Sequence, residues 1–163
     1  MNKNKLLLFI SFLTFTSLLV SGQTDKDKKQ VKRTILFVCE HGAGRSAIAA
    51  SYFNKRAEKL GLEYHAIFRG VEPQEALGES TKNGLIKDSV DVTKLIPIKI
   101  SRKDAEDAYT LITLDCSLPE PFNKVDMQWS GIPMNGNYEI SKSEIALKVD
   151  SLITKIPKNK RKH

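Results

Sequence analysis

The sequence predicts an α/β sandwich built on a parallel sheet, and three observations carry that reading. TILFVC, residues 34–39, and YTLITLDC, residues 109–116, are unbroken β-branched and apolar runs. Such runs mark strands buried on both faces. Directly after the first, Ser46 to Leu60 carries Ala47, Ile48, Ala50, Ala57 and Leu60 at helical spacing. Strand and helix patterns then alternate to the C-terminus, which in a chain of 163 residues argues for one domain of helices on a parallel sheet. Ligands in that architecture bind at the carboxyl ends of strands, where Cys39 and Cys116 both fall.

The elements follow in order. TILFVC leads into the Ser46–Leu60 helix, which Gly61 ends. YHAIFRG, 64–70, is a second strand closed by Gly70. STKNGLIKDSV, 80–90, reads as a short helix with Ser80 as its N-cap. KLIPIKI, 94–100, is extended, because Pro97 removes a ladder donor. SRKDAEDA, 101–108, offers Ser101 as another N-cap before the YTLITLDC strand. KVDMQWSGIP, 124–133, is either a last strand or an irregular lid. SKSEIALKVDSLITKI, 141–156, holds Ile145, Leu147, Val149, Leu152, Ile153 and Ile156, enough for a closing amphipathic helix.

The ends carry a different message. Lys3 and Lys5 precede a 15-residue run, Leu6 to Val20, that is apolar apart from Ser and Thr; small residues follow at Ser21 and Gly22. This is the pattern of a signal peptide over 1–22, and the run is short against the roughly 20 residues of a bilayer span. The expectation is an exported protein, periplasmic or secreted in a bacterium, with no stable membrane span after cleavage. A polar linker, 23–32, a domain, 33–156, and a basic tail, 157–163, complete the division. Losing residues 1–22 removes two lysines and no acids, so the net charge falls from +7 to +5. The remaining excess sits in the linker and the tail, which predicts solvated ends rather than a nucleic-acid partner. Two cysteines are too few for a disulfide scaffold, and about 130 residues can bury a core without one. In an oxidising compartment a Cys39–Cys116 disulfide is a candidate. No His and Cys cluster has zinc spacing, so neither metal nor cofactor is predicted.

Chemistry concentrates where the first strand meets the first helix. Gly42 and Gly44 permit a tight turn between Cys39 and Arg45. A loop of this kind aims successive backbone N–H groups at one point, and the helix N-terminus adds partial positive charge. Arg45 can clamp a tetrahedral oxyanion through paired hydrogen bonds. The same field favours the thiolate form of Cys39, the form that attacks, and Ser46 can donate a hydrogen bond to it. Glu40, His41, Gly42, Ala43 and Gly44 are then the substrate-binding loop beside Arg45, although a carboxylate at Glu40 opposes a dianion unless it faces solvent. His41 reads as an exposed spectator, His65 and Trp129 as packing.

VCEHGAGRS, Val38 to Ser46, resembles the phosphate-binding loop of low-molecular-weight protein tyrosine phosphatases and of the related thiol-coupled arsenate reductases: a cysteine, five residues, then Arg and Ser or Thr. The resemblance extends from about Thr34 to Ile156. It includes ITLDCS, 112–117, similar to the strand and acidic turn beside that family's active site, and MQWSGIP, 127–133, similar to the reductase branch. It implies a three-layer sandwich with a four-stranded parallel sheet flanked by helices. It also implies Cys39 as nucleophile, Arg45 as oxyanion ligand and Ser46 as thiolate stabiliser.

The chain departs from the family in two places. The loop asparagine of the phosphatases is replaced by Gly42 or Ala43, and no Asp-Pro pair exists to supply their leaving-group acid. Asp126 and Asp115 are the nearest carboxyl candidates, Asp115 reading more as a loop brace. Cys116 is either a small structural residue or a redox partner. Three functions stay open: a phosphatase acting on a phosphorylated protein or small phosphomonoester; an arsenate reductase using Cys39 with Cys116 or an external thiol reductant; and a catalytically weak oxyanion-binding or redox-sensing domain.

Overall fold

The computed structural model describes residues 33–134 and 136–158. Its elements run β1 (Arg33–Cys39), α1 (Arg45–Lys59), β2 (Tyr64–Gly70), α2 (Glu79–Lys87), α3 (Arg102–Asp107), β3 (Thr110–Leu114), β4 (Met127–Trp129) and α4 (Tyr138–Lys155). The four strands form one parallel sheet in the order β2-β1-β3-β4. The expected signal peptide, and the linker up to residue 32, lie outside the described residues, as does the tail beyond 158.

Alternation along the central strands divides the core in two. Ile35 and Phe37 of β1 and Ile112 and Leu114 of β3 pack on one face with Phe53 of α1 and Val149 and Leu152 of α4. Leu36, Val38 and Leu111 pack on the other face with Ala105 of α3, Ile100 and Cys116. Helices on both faces make the expected three layers, and the continuous apolar strands reflect that double burial. Each fully buried side chain of this kind is worth about 1.5–3 kcal/mol. Helix α2 sits so close to α4 that a Cβ on Gly84 would lie 2.1 Å from the Tyr138 ring.

Several boundaries differ from the sequence expectations. Gly78, not Ser80, precedes α2, because Lys82 N donates to Gly78 O and the helix is already turning there. Ser80 Oγ instead donates to Gly136 O over 2.7 Å. Ser101 caps α3 as expected, in a capping box with Asp104. KLIPIKI forms no full strand; it touches the sheet through one bridge, Gly70 to Lys99. KVDMQWSGIP satisfies both alternatives, with three residues of strand and then an irregular loop. Helix α4 begins at Tyr138, capped by Asn137 Oδ1. Leu147 is 68% exposed on its outer face, off the stripe made by Ile145, Val149, Leu152 and Ile153.

Candidate active site

The segment between β1 and α1 stands at the carboxyl edge of the sheet, and its hydrogen bonds define it. The carbonyls of Cys39, Glu40, His41 and Ala43 all point outward, accepting from Val71 N (3.1 Å), Glu72 N (2.8 Å), Gln74 N (3.0 Å) and Gly78 N (3.0 Å). Gly44 O accepts from Ile48 N as α1 starts. Peptide planes carry N–H and C=O on opposite sides, so outward carbonyls turn N–H groups inward. Among the described residues, no backbone N–H from His41 to Ser46 donates to another protein group. That array, on the first turn of a 15-residue helix, is an anion cradle. Gly42 is required twice over: its φ is +65°, and a Cβ there would lie 3.0 Å from Gly70 N.

Cys39 opens into this cradle from the end of β1, only 3% exposed, with Sγ 3.1 Å from the Ser46 hydroxyl. Ser46 Oγ also lies 3.3 Å from Arg69 O, as donor to it. A hydroxyl has one proton, so the thiol state lets Ser46 donate to Arg69 O while accepting from Sγ. The thiolate state draws that proton to sulfur. Loss of a proton from Cys39 is therefore matched by rotation of one buried hydroxyl.

Arg45 is held from behind. Its Nε donates to Ile132 O over 2.9 Å and lies 3.2 Å from Asp115 Oδ2. Its two Nη groups make no hydrogen bond to a described residue and are left for an oxyanion. Asp115 sits at φ +47° just past β3; its carboxylate accepts from Gly131 N (2.7 Å) and Ile132 N (2.9 Å). It thus ties Arg45 to the loop after β4, the bracing role, with its lone pairs committed to three donors rather than to a leaving group.

Two candidate residues do not join this group as expected. Asp126 is a correction: its Oδ2 accepts from Leu111 N over 2.8 Å and its N donates to Leu111 O. Parallel register pairs Ile112 with Met127, which sets Asp126 at the amino end of the strands, away from the cradle, and there is no acid at the site from it. Cys116 and Cys39 are both free thiols, so the candidate disulfide is not formed. Cys116 Sγ donates to Val38 O over 3.5 Å, and burial pushes its thiol up to about 11, with the nearby Cys39 adding to the rise. His41 is exposed, Nδ1 3.3 Å from Glu72 O. Trp129 is core, its ring 5.5 Å from that of Phe37. Among the described residues no three His, Cys, Asp or Glu groups could hold a metal ion.

The cradle is the floor of a cleft of about 330 Å³. Of the expected loop, Cys39, Glu40, His41, Ala43, Gly44 and Arg45 line it, whereas Gly42 does not. Its walls were not foreseen: Gln74 and Gly78 to Thr81 on one segment, Met134 and Gly136 on another. These come from segments distant in sequence, with no local motif; hydrogen bonds from residues 71–78 to the loop carbonyls hold the first segment there.

A buried cysteine at the base of an N–H cradle, with an arginine fixed at its side, defines an α/β domain of cysteine-dependent oxyanion chemistry. The chain belongs to the low molecular weight phosphotyrosine protein phosphatase family, whose model matches residues 34–151. Solved structures agree in fold. YfkJ from Bacillus subtilis superposes with a TM-score of 0.67 at 21% identity, over 76% of this chain and 93% of that one. Arsenate reductase from Archaeoglobus fulgidus gives 0.59 at 24% identity, over 74% and 99%. The low molecular weight protein tyrosine phosphatase from T. tengcongensis gives 0.58 at 21%, over 77% and 100%. No curated protein matches the sequence significantly.

Proposed function

We infer that the protein hydrolyses phosphomonoesters through a Cys39 phosphothioester. The phosphate oxygens take the inward N–H groups and the Arg45 Nη groups, and the Cys39 thiolate attacks phosphorus in line. The P–O bond to the leaving group breaks as the P–S bond forms, and water then cleaves P–S to release phosphate. The cradle is aimed where charge gathers in the transition state. The observation that carries this reading is the set of four outward carbonyls around Cys39, which leaves the loop's N–H groups for an anion.

The proton for the leaving group is the weak point of the machinery. Asp115 is committed and Asp126 is remote. Loss of a general acid typically costs 10²–10⁴-fold with a poor leaving group, so the reading favours aryl esters, including phosphotyrosine. Fully reduced protein should turn over p-nitrophenyl phosphate and lose that activity in Cys39→Ser; no turnover by reduced wild type overturns the reading. Arsenate reduction through Cys116 is disfavoured by its buried, protonated thiol. Arsenate-dependent thiol consumption abolished by Cys116→Ser would reinstate it. Protection of Cys39 from alkylation by phosphate without turnover would leave only an oxyanion-binding domain.

Export is part of the same proposal, resting on residues 1–22. N-terminal sequencing of the mature protein should start near Gln23; an intact Met1 counts against it.

A further inference from the structure

Two carboxylates look into an otherwise anion-binding cleft. Glu40 follows the nucleophile and is half-buried; Glu79 is the first residue of α2. Among the described residues neither makes a salt bridge or a side-chain hydrogen bond, so both carboxylates are left for a ligand in the cleft. Among the described residues Arg45 is the one arginine or lysine lining the cleft, and its Nε is already committed.

A carboxylate beside a phosphate dianion repels it, and in a loop whose N–H groups exist to attract anions that repulsion works against binding. The repulsion reverses when the substrate brings its own cation. Accordingly we propose that Glu40 and Glu79 select phosphomonoesters carrying a positive charge close to the phosphate: the loop and Arg45 take the phosphoryl group, and the two carboxylates take the cation. This selectivity rests on the phosphatase reading above. The cation can belong to a basic residue beside a phosphorylated side chain or to the leaving group itself, and the two sources share one chemistry.

The test compares kcat/KM for two phosphotyrosine peptides of equal length, one flanked by lysines and one by glutamates. p-Nitrophenyl phosphate and a small aryl phosphate bearing an ammonium group run alongside. At low salt the lysine peptide should be favoured by about tenfold, as two exposed ion pairs can supply. The preference should shrink as ionic strength brings the screening length to ~10 Å at 0.1 M. In the double variant E40Q/E79Q the ratio should fall toward one, with circular dichroism and thermal melting reporting that the domain still folds. If the double variant is inactive, the salt dependence of the wild-type ratio decides alone. A preference shared by the small ammonium ester assigns the cation to the leaving group; one confined to peptides assigns it to a neighbouring residue. Equal rates for both peptides, with p-nitrophenyl phosphate still hydrolysed, overturn the proposal and leave the phosphatase reading intact. No hydrolysis of any substrate overturns both.

Discussion

The two sides of the cleft are built by different means. The phosphate side is backbone: outward carbonyls, inward N–H groups and a glycine at φ +65° that no other residue would occupy without strain. The leaving-group side is made of side chains, Gln74 and Met134 on loops, Glu79 at the start of α2 and Glu40 from the floor loop itself, and among the described residues neither glutamate makes a salt bridge or a side-chain hydrogen bond. Backbone geometry commits the floor to any tetrahedral oxyanion, whereas the walls decide which one is processed. Asp115 braces the two together, since one carboxylate holds both Arg45 on the floor and Gly131 and Ile132 on the wall.

That connection gives the largest expected effect after loss of the nucleophile. Asp115→Ala leaves two N–H groups unbonded and frees Arg45 from its brace, so the guanidinium loses its aim. A misplacement of about 1 Å at a reacting group costs on the order of 10²-fold, and kcat/KM for p-nitrophenyl phosphate should fall by about that much. Asp115→Asn keeps tolerance of positive φ and part of the hydrogen bonding, so it should recover a measurable share. Equal activity in Asp115→Ala and wild type would show that floor and wall are independent. The next effect concerns the wall alone. With no acid among the braced carboxylates, rates should fall steeply as the leaving phenol becomes more basic. A flat dependence of kcat/KM across substituted phenyl phosphates would reveal a proton donor in the cleft. A smaller effect is expected at Cys116. Its raised thiol stays protonated at neutral pH, so Cys116→Ser should change phosphatase turnover less than threefold, about 0.6 kcal/mol. Mass spectrometry should find Cys116 the slower of the two to alkylate in folded protein.

The same contrast explains what the sequence disclosed. The floor is eight consecutive residues, Cys39 to Ser46, between a strand pattern and a helix pattern, so its role could be read locally. Asp115 was legible as a brace because it follows a clear strand. Asp126 misled because the sequence does not show strand register; pairing Ile112 with Met127 sets Asp126 at the amino end of the sheet, opposite the cradle. Glu79 and Met134 carry no local signature, since their place depends on where residues 71–81 and 130–134 return to the cleft. Ser80 failed as a cap for a related reason: a backbone contact from Gly78 to Ala43, 35 residues away, starts α2 early.

The smallest expected effect lies away from both sides and separates loss of fold from loss of chemistry. Asp88 joins α2 to α4, with Lys142 Nζ 2.7 Å from its carboxylate and the Tyr138 hydroxyl donating over 2.7 Å. Burial works to raise its carboxyl, but the hydrogen bonds from Lys142 and Tyr138 prevail and hold it below the ordinary carboxylate range. A carboxyl lowered in the folded state contributes stability that is present above its unfolded value, near 3.9, and lost as pH falls through the folded value. Asp88→Asn should therefore lower Tm modestly at pH 7, by the equivalent of about 1 kcal/mol or less for a partly exposed pair. Its Tm should converge with that of wild type as pH drops below about 3.9. Because Asp88 touches neither floor nor wall, kcat/KM at neutral pH should stay within about twofold, some 0.4 kcal/mol. A Tm difference that persists undiminished at pH 2–3 would mean that the stabilisation does not come from the charged form, and a matching loss of kcat/KM would mean that the helix layer helps to shape the cleft.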